Sequence, residues 1–166
     1  MCSSDLRPIP LTAAAFAPFG DVLEDKTARE LRPINYGQTD RFHDLARLDL
    51  AAQAGRPIVS LFRTRPLPQP IQIKVMERHP LSSQAFYPLS GRPYLVVVAP
   101  KGDFDASKIQ AFLAGGAQGV NYHAGTWHHF SLALEAVSDF LVIDRDGPEK
   151  NCDEVFLEGE DLWIDL

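Results

Sequence analysis

The stretch Ile71–His79, "IQIKVMERH", decides how the fold is read. Side chains along a strand alternate with period two. Ile71, Ile73 and Val75 therefore share one face, and the same count places Glu77 and His79 on it. An acid and an imidazole then point inward at the end of an apolar strand. A buried carboxylate needs a cation, a metal or hydrogen-bond donors to offset its desolvation. Lys74 and Arg78 fall on the opposite, outward face.

The stretch Asn121–Phe130, "NYHAGTWHHF", repeats the pattern and holds three of the chain's five histidines. Thr126, His128, Phe130, Leu132 and Leu134 share one face, and Trp127 and His129 the other. His128 thus joins an apolar face near the end of its strand. His123 precedes the Gly125 turn and can approach the same mouth. Two inward polar clusters on separate strands predict a small-ligand site at the mouth of a barrel. Trp127 reads as packing on the far face, His129 as packing or a subunit contact there, and His43 in "RFHDLA" as structural or as a support behind the site.

The rest of the chain agrees with an all-β class carrying one or two short helices. Thirteen prolines and 11 glycines punctuate short apolar segments, as in a barrel or sandwich. Strands are expected at Phe42–Leu50, Pro57–Thr64, Ile71–His79, Ala85–Leu89, Tyr94–Ala99, Gly119–Tyr122, Trp127–Leu134 and Phe140–Asp144, with the tail "DLWIDL" at an edge. Thr12 caps a short helix over "AAAFA" that Pro18 ends. A second helix is expected over Ser107–Ala114, stopped by Gly115-Gly116.

The 166 residues suit a single domain, 1–166, with 45% hydrophobic and 23% charged residues. A net charge of −6 argues against a nucleic-acid partner, which needs a basic footprint. The longest apolar run, "YLVVVA", is too short to span a bilayer. "MCSSDLRPIP" lacks the pattern of a signal peptide, and the expectation is a cytoplasmic protein with no membrane partner. Cys2 and Cys152 make no disulfide framework. "GGAQG" around Gly115 is not a dinucleotide fingerprint, so no organic cofactor is expected.

Two motifs then align with a known pattern. Glu77-x-His79, four residues, Gln84, six residues, Gly91 resembles the first cupin motif, with Glu77 in place of its first histidine and Gln84 in place of its glutamate. His123-x-Gly125-x-x-His128 resembles the second, with His123 in the proline slot. Longer strings narrow the likeness: "ERHPLSSQAFYPLSG", "GVNYHAGTWHHF", "DFLVIDR" and "NCD", with "RFHDLA" before them, resemble the ureidoglycolate lyase family of allantoin degradation. That resemblance implies a cupin-type β-barrel, or double-stranded β-helix. It also implies a homodimer and the cleavage of ureidoglycolate to glyoxylate and urea, and it suggests nickel or another divalent ion.

The residues suit that chemistry. Elimination needs a base for the carbinol hydroxyl, an acid for the departing urea nitrogen and a positive group for the carboxylate. Glu77, His79, His123 and His128 are the candidates for proton transfer. Among Arg63, Arg78 and Arg145, Arg63 ranks first as the carboxylate clamp, with Gln84 a further substrate contact. Alternatively Glu77, His79 and His128 hold a metal, with Gln84 as a fourth, weak ligand. Two rival readings remain: a non-catalytic small-acid-binding cupin, and an amidohydrolase-type enzyme that releases ammonia and carbon dioxide from the same substrate.

Overall fold

The strand Tyr94–Ala99 is the spine of the molecule. Its six residues are all buried, because apolar cores lie on both of its faces. Tyr94, Val96 and Val98 face a first core with Phe16, Phe86, Phe112, Tyr122 and Phe140. Leu95, Val97 and Ala99 face a second core with Ile71, Ile73, Met76, Trp127 and Ile164. A strand covered on both sides reads as an unbroken apolar run, which is what "YLVVVA" is.

In this computed structural model, which describes residues 4–159 and 161–166, three sheets are layered on these cores. The central, seven-stranded sheet runs Asp153–Phe156, Val75–Arg78, Trp127–His128, Tyr94–Ala99, Gln110–Ala114, Ile9–Pro10, and Leu132–Ala133 also pairs with Tyr94–Ala99. Facing it is a five-stranded sheet in the order Gly20–Leu23, Gly119–Tyr122, Gln84–Pro88, Ser138–Asp146, Arg56–Thr64. Their inner faces enclose the first core, giving the cupin-type β-barrel expected from the sequence. A three-stranded sheet, Ser4–Leu6, Leu162–Ile164 and Ile71–Gln72, covers the second core. A hairpin, Glu30–Ile34 with Thr39–His43, forms a two-stranded sheet of its own.

Local signals placed several elements correctly. The helix Ala13–Phe16 begins where Thr12 accepts a hydrogen bond from the Ala15 amide at 3.2 Å, and it buries Phe16 completely. Gly91 stands in a turn at φ +67°, and a Cβ on Gly116 would come within 2.2 Å of its carbonyl carbon, so both positions need glycine.

Other expectations are corrected. Residues Gln110–Ala114 form a strand, not a helix, preceded by a single 3₁₀ turn at Ala106–Lys108. Phe112 faces the first core and Ala111 the second, so the segment is apolar on both faces and its spacing mimics a helix. Strand Ile71–His79 is broken at Ile73 and Lys74: Ile71–Gln72 joins the three-stranded sheet and Val75–Arg78 the central one. Strand Trp127–Leu134 is broken at residues 129–131, which shifts its phase: Phe130 is exposed and Leu132 joins Trp127 in the second core. The expected Phe42–Leu50 strand ends at His43. The C-terminal strand Leu162–Ile164 lies between two others, not at an edge. Cys2 falls outside the described residues.

Candidate active site

Register assembles the site. Val98 pairs with His128, and His128 pairs with Glu77. Directly opposed residues in a sheet share a face, so Glu77 and His128 point where Val98 points, into the barrel. Arg78 projects the other way and stacks over Trp127, 4.6 Å from its ring centroid, while donating to Asp153 at 2.9 Å. The inward placement of Glu77 thus holds, although Ile71 and Ile73 lie on the far side of the central sheet.

One ligand-type atom from each of Glu77, His79 and His128 lies within 4.8 Å of the other two. His79 sits just past the end of its strand. Its Nδ1–H donates to the Asn151 carbonyl at 2.7 Å, and its Nε2 is buried with no hydrogen-bond partner among the described residues. His128 is fully buried, its Nδ1–H donates to the His129 carbonyl at 3.1 Å, and its Nε2 also lacks a partner among the described residues. Glu77 Oε1 lies 3.8 Å from His128 Nδ1. That contact is not an ion pair at neutral pH, because burial, reinforced by His79, lowers the His128 pKa to about 3.

Tyr122 packs flat on His128, and burial together with the nearby Glu77 charge pushes its hydroxyl pKa well up, so the phenol keeps its proton. Gln84 pairs in register with Tyr122 and so faces the same interior. Its Nε2 donates to Asp144 at 3.0 Å and its Oε1 has no partner among the described residues. Cys152 donates its thiol to Glu77 Oε2 at 3.6 Å, and burial and the Glu77 charge push its pKa up to about 11. That is the reverse of an activated nucleophile.

Two expected site residues stand outside this group. His123 follows the inward Tyr122 and therefore turns to the outer face, where its Nε2 lies 3.2 Å from Asp21 Oδ2 in a shallow cleft with Arg29, Asp44 and Arg47. Arg63 follows Phe62, which packs on core residue Phe86. It therefore points outward from the edge strand and makes a two-bond pair with Asp139, at 2.8 and 3.0 Å. Arg145 is also committed, donating to the Ala52 and Gln53 carbonyls. None of the three arginines proposed as a clamp is therefore free for a carboxylate. His129 faces away as expected, its Nδ1 donating to the Phe130 carbonyl at 2.9 Å.

Sequence reasoning missed Tyr122, Asp144 and Asn151. The period-two count that flagged Glu77 would have flagged Asp144, which shares its face with Phe140 and Val142 of the first core. Asn151 lies in a loop, and no local pattern marks it. Its Oδ1 accepts from the Leu81 amide at 2.7 Å and its Nδ2 donates to Ser82 at 2.8 Å, which pins the turn that carries His79.

The chain matches the family model described as "Ureidoglycolate lyase" over residues 3–165. It is 58% identical over 155 residues to a protein of Burkholderia mallei (strain NCTC 10229) named ureidoglycolate lyase, covering 93% of this chain and 90% of that one. A protein of the same name from Brucella anthropi is 54% identical over 156 residues, covering 94% and 92%. One from Pseudomonas paraeruginosa is 51% identical over 162 residues, covering 96% and 95%. With the whole barrel and its inward Glu77, His79 and His128 inside the matched region, this chain belongs to the ureidoglycolate lyase family.

Proposed function

We propose that the protein is a ureidoglycolate lyase, eliminating urea from ureidoglycolate to leave glyoxylate in allantoin degradation. The observation that carries this reading is the convergence of Glu77, His79 and His128 inside the barrel of a chain from that family. In the reaction the carbinol C–N bond breaks, the hydroxyl loses its proton as the C=O forms, and the urea nitrogen takes up a proton.

His128 is held neutral and accepts; it is not the acid. Each imidazole has its second nitrogen tied to a backbone carbonyl, the arrangement that orients histidine ligands toward a metal. Ligand bonds of about 2.0–2.2 Å put ligand atoms at most about 4.4 Å apart, so the spacing limit of 4.8 Å fits after small side-chain adjustment. Glu77, His79 and His128 would hold a divalent cation, with Gln84 close by. Such an ion supplies the positive charge that a substrate carboxylate needs and acidifies an α-hydroxyl. This role fits a site whose candidate arginines are all engaged elsewhere.

The reading includes a cytoplasmic enzyme. It also includes a homodimer. Support for the pair comes from the hairpin, which exposes Leu31, Ile34 and Phe42, and from the edge strand Arg56–Thr64, which exposes Val59 and Leu61. Edges and apolar patches of this kind are usually covered.

The test is to strip the protein with a chelator and to follow urea and glyoxylate from racemic ureidoglycolate with and without divalent ions. Urea and glyoxylate in equal amounts, restored by metal, are expected. Ammonia and carbon dioxide would instead identify an amidohydrolase. Ligand-induced stabilisation without turnover would identify a small-acid-binding protein.

A further inference from the structure

The polar residues of the barrel interior do not end with the Glu77, His79, His128 group. Gln84 and Asp144 stand on neighbouring strands, one step beyond the register pair Ala85 and Ile143. Both project inward, Gln84 opposite Tyr122 and Asp144 in phase with Val142. Gln84 is 5% exposed. Its Nε2 donates to Asp144 Oδ2 at 3.0 Å. After that bond, two buried oxygens remain without partners among the described residues, Gln84 Oε1 and Asp144 Oδ1.

Both of these orphan atoms only accept hydrogen bonds. Leaving buried acceptors unpaired is costly, so the pair selects a ligand that brings N–H or O–H donors. A substrate carboxylate brings none and meets the like charge of Asp144. A terminal ureido group brings an NH2 with two donors and a second N–H beside it. Gln84 pairs in register with Tyr122, whose ring stacks on that of His128 with centroids 4.2 Å apart.

We propose that Gln84 and Asp144 form the subsite that recognises the ureido end of the substrate, with the hydroxyl and carboxylate directed to Glu77, His79 and His128. This rests on the lyase reading and deepens it. The bond between Gln84 and Asp144 fixes which amide atom faces the ligand: with Nε2 held by the carboxylate, the carbonyl oxygen is the atom presented. Asp144 is then both the acceptor for the ureido NH2 and the group that sets the orientation of Gln84.

The experiment compares two non-reacting ligands by calorimetry on the metal-loaded protein. Ureidoacetate keeps the ureido group and carboxylate, and glycolate keeps the hydroxyl and carboxylate alone. Asp144→Asn preserves size but replaces one of the two acceptor oxygens with an NH2 donor and removes the carboxylate. It should weaken ureidoacetate by at least about tenfold while changing glycolate by less than about twofold. Equal losses for both ligands, or no loss for either, would overturn the proposal.

Should Asp144→Asn fold poorly, the wild-type protein still decides. Ureidoacetate dimethylated on its terminal nitrogen should bind at least about tenfold worse than ureidoacetate; equal binding means that only water satisfies the two oxygens. Wild-type protein that discriminates these ligands yet releases no urea from ureidoglycolate would sink the lyase reading and leave the subsite standing.

Discussion

Tyr122 lies flat against His128, with ring centroids 4.2 Å apart and planes 3° from parallel. Both rings are buried in the barrel, and Tyr122 pairs in register with Gln84. Stacking on one face and the His129 carbonyl at one edge leave the imidazole little freedom to turn. His128 is therefore a preset lone-pair donor, not a mobile proton carrier.

That burial has a consequence for stability. The His128 pKa is about 3 in the fold against an ordinary 6.5. As pH falls below about 6.5, the unfolded chain takes up a proton that the fold refuses. The stability contribution is complete above that pH and is lost on the way down to about 3. Urea denaturation of chelator-treated protein between pH 7 and pH 4.5 should therefore fall more steeply for wild type than for His128→Gln. The expected difference is about 1 kcal/mol per pH unit below about pH 6. Identical slopes would mean that the imidazole protonates within the fold.

Removing any one of the three inward groups should abolish the site. Glu77→Gln, His79→Ala and His128→Ala are each expected to lower turnover by at least about a hundredfold, and to lose bound metal in elemental analysis of dialysed protein. Asn151→Ala, which frees the turn carrying His79, should cost about ten- to a hundredfold in metal affinity. Full metal content with full activity in His79→Ala would remove that residue from the site.

His123 and Arg63 make the opposite prediction. His123 is turned to Asp21, and Arg63 is paired with Asp139 on the outer face. His123→Ala and Arg63→Ala should leave the Michaelis constant and turnover unchanged within error. A selective rise in the Michaelis constant for Arg63→Ala would restore it as the carboxylate clamp.

The hairpin makes a prediction about assembly. Leu31 is 55% exposed and Phe42 43%. Light scattering after size exclusion should find a dimer for wild type and a monomer for the double variant Leu31→Asp, Phe42→Asp. A wild-type monomer at all concentrations would overturn the homodimer.

Much of this protein is determined by local sequence. Alternation holds only within one short strand: it sets Glu77 beside Val75 and opposite Met76, whereas Ile71, Ile73, Phe130 and Leu132, counted on the inward faces from sequence, lie elsewhere because their strands break. The same locality explains the Thr12 cap and the doubly buried "YLVVVA" strand. Where strands stop is a different matter. The break at Ile73 and Lys74 exists because Ile71–Gln72 pairs with Leu162–Ile164 while Val75–Arg78 pairs with Trp127–His128. The strand at Gln110–Ala114 exists because Tyr94–Ala99 offers it a hydrogen-bonding edge. Those partners lie far along the chain, and no window of sequence contains them. The same holds for the site: Asn151 meets His79 across 72 residues, and Asp144 meets Gln84 across 60. Residue type and parity determined which side chains face the barrel; only tertiary pairing decided which of them meet, and which, like His123 and Arg63, find another partner first.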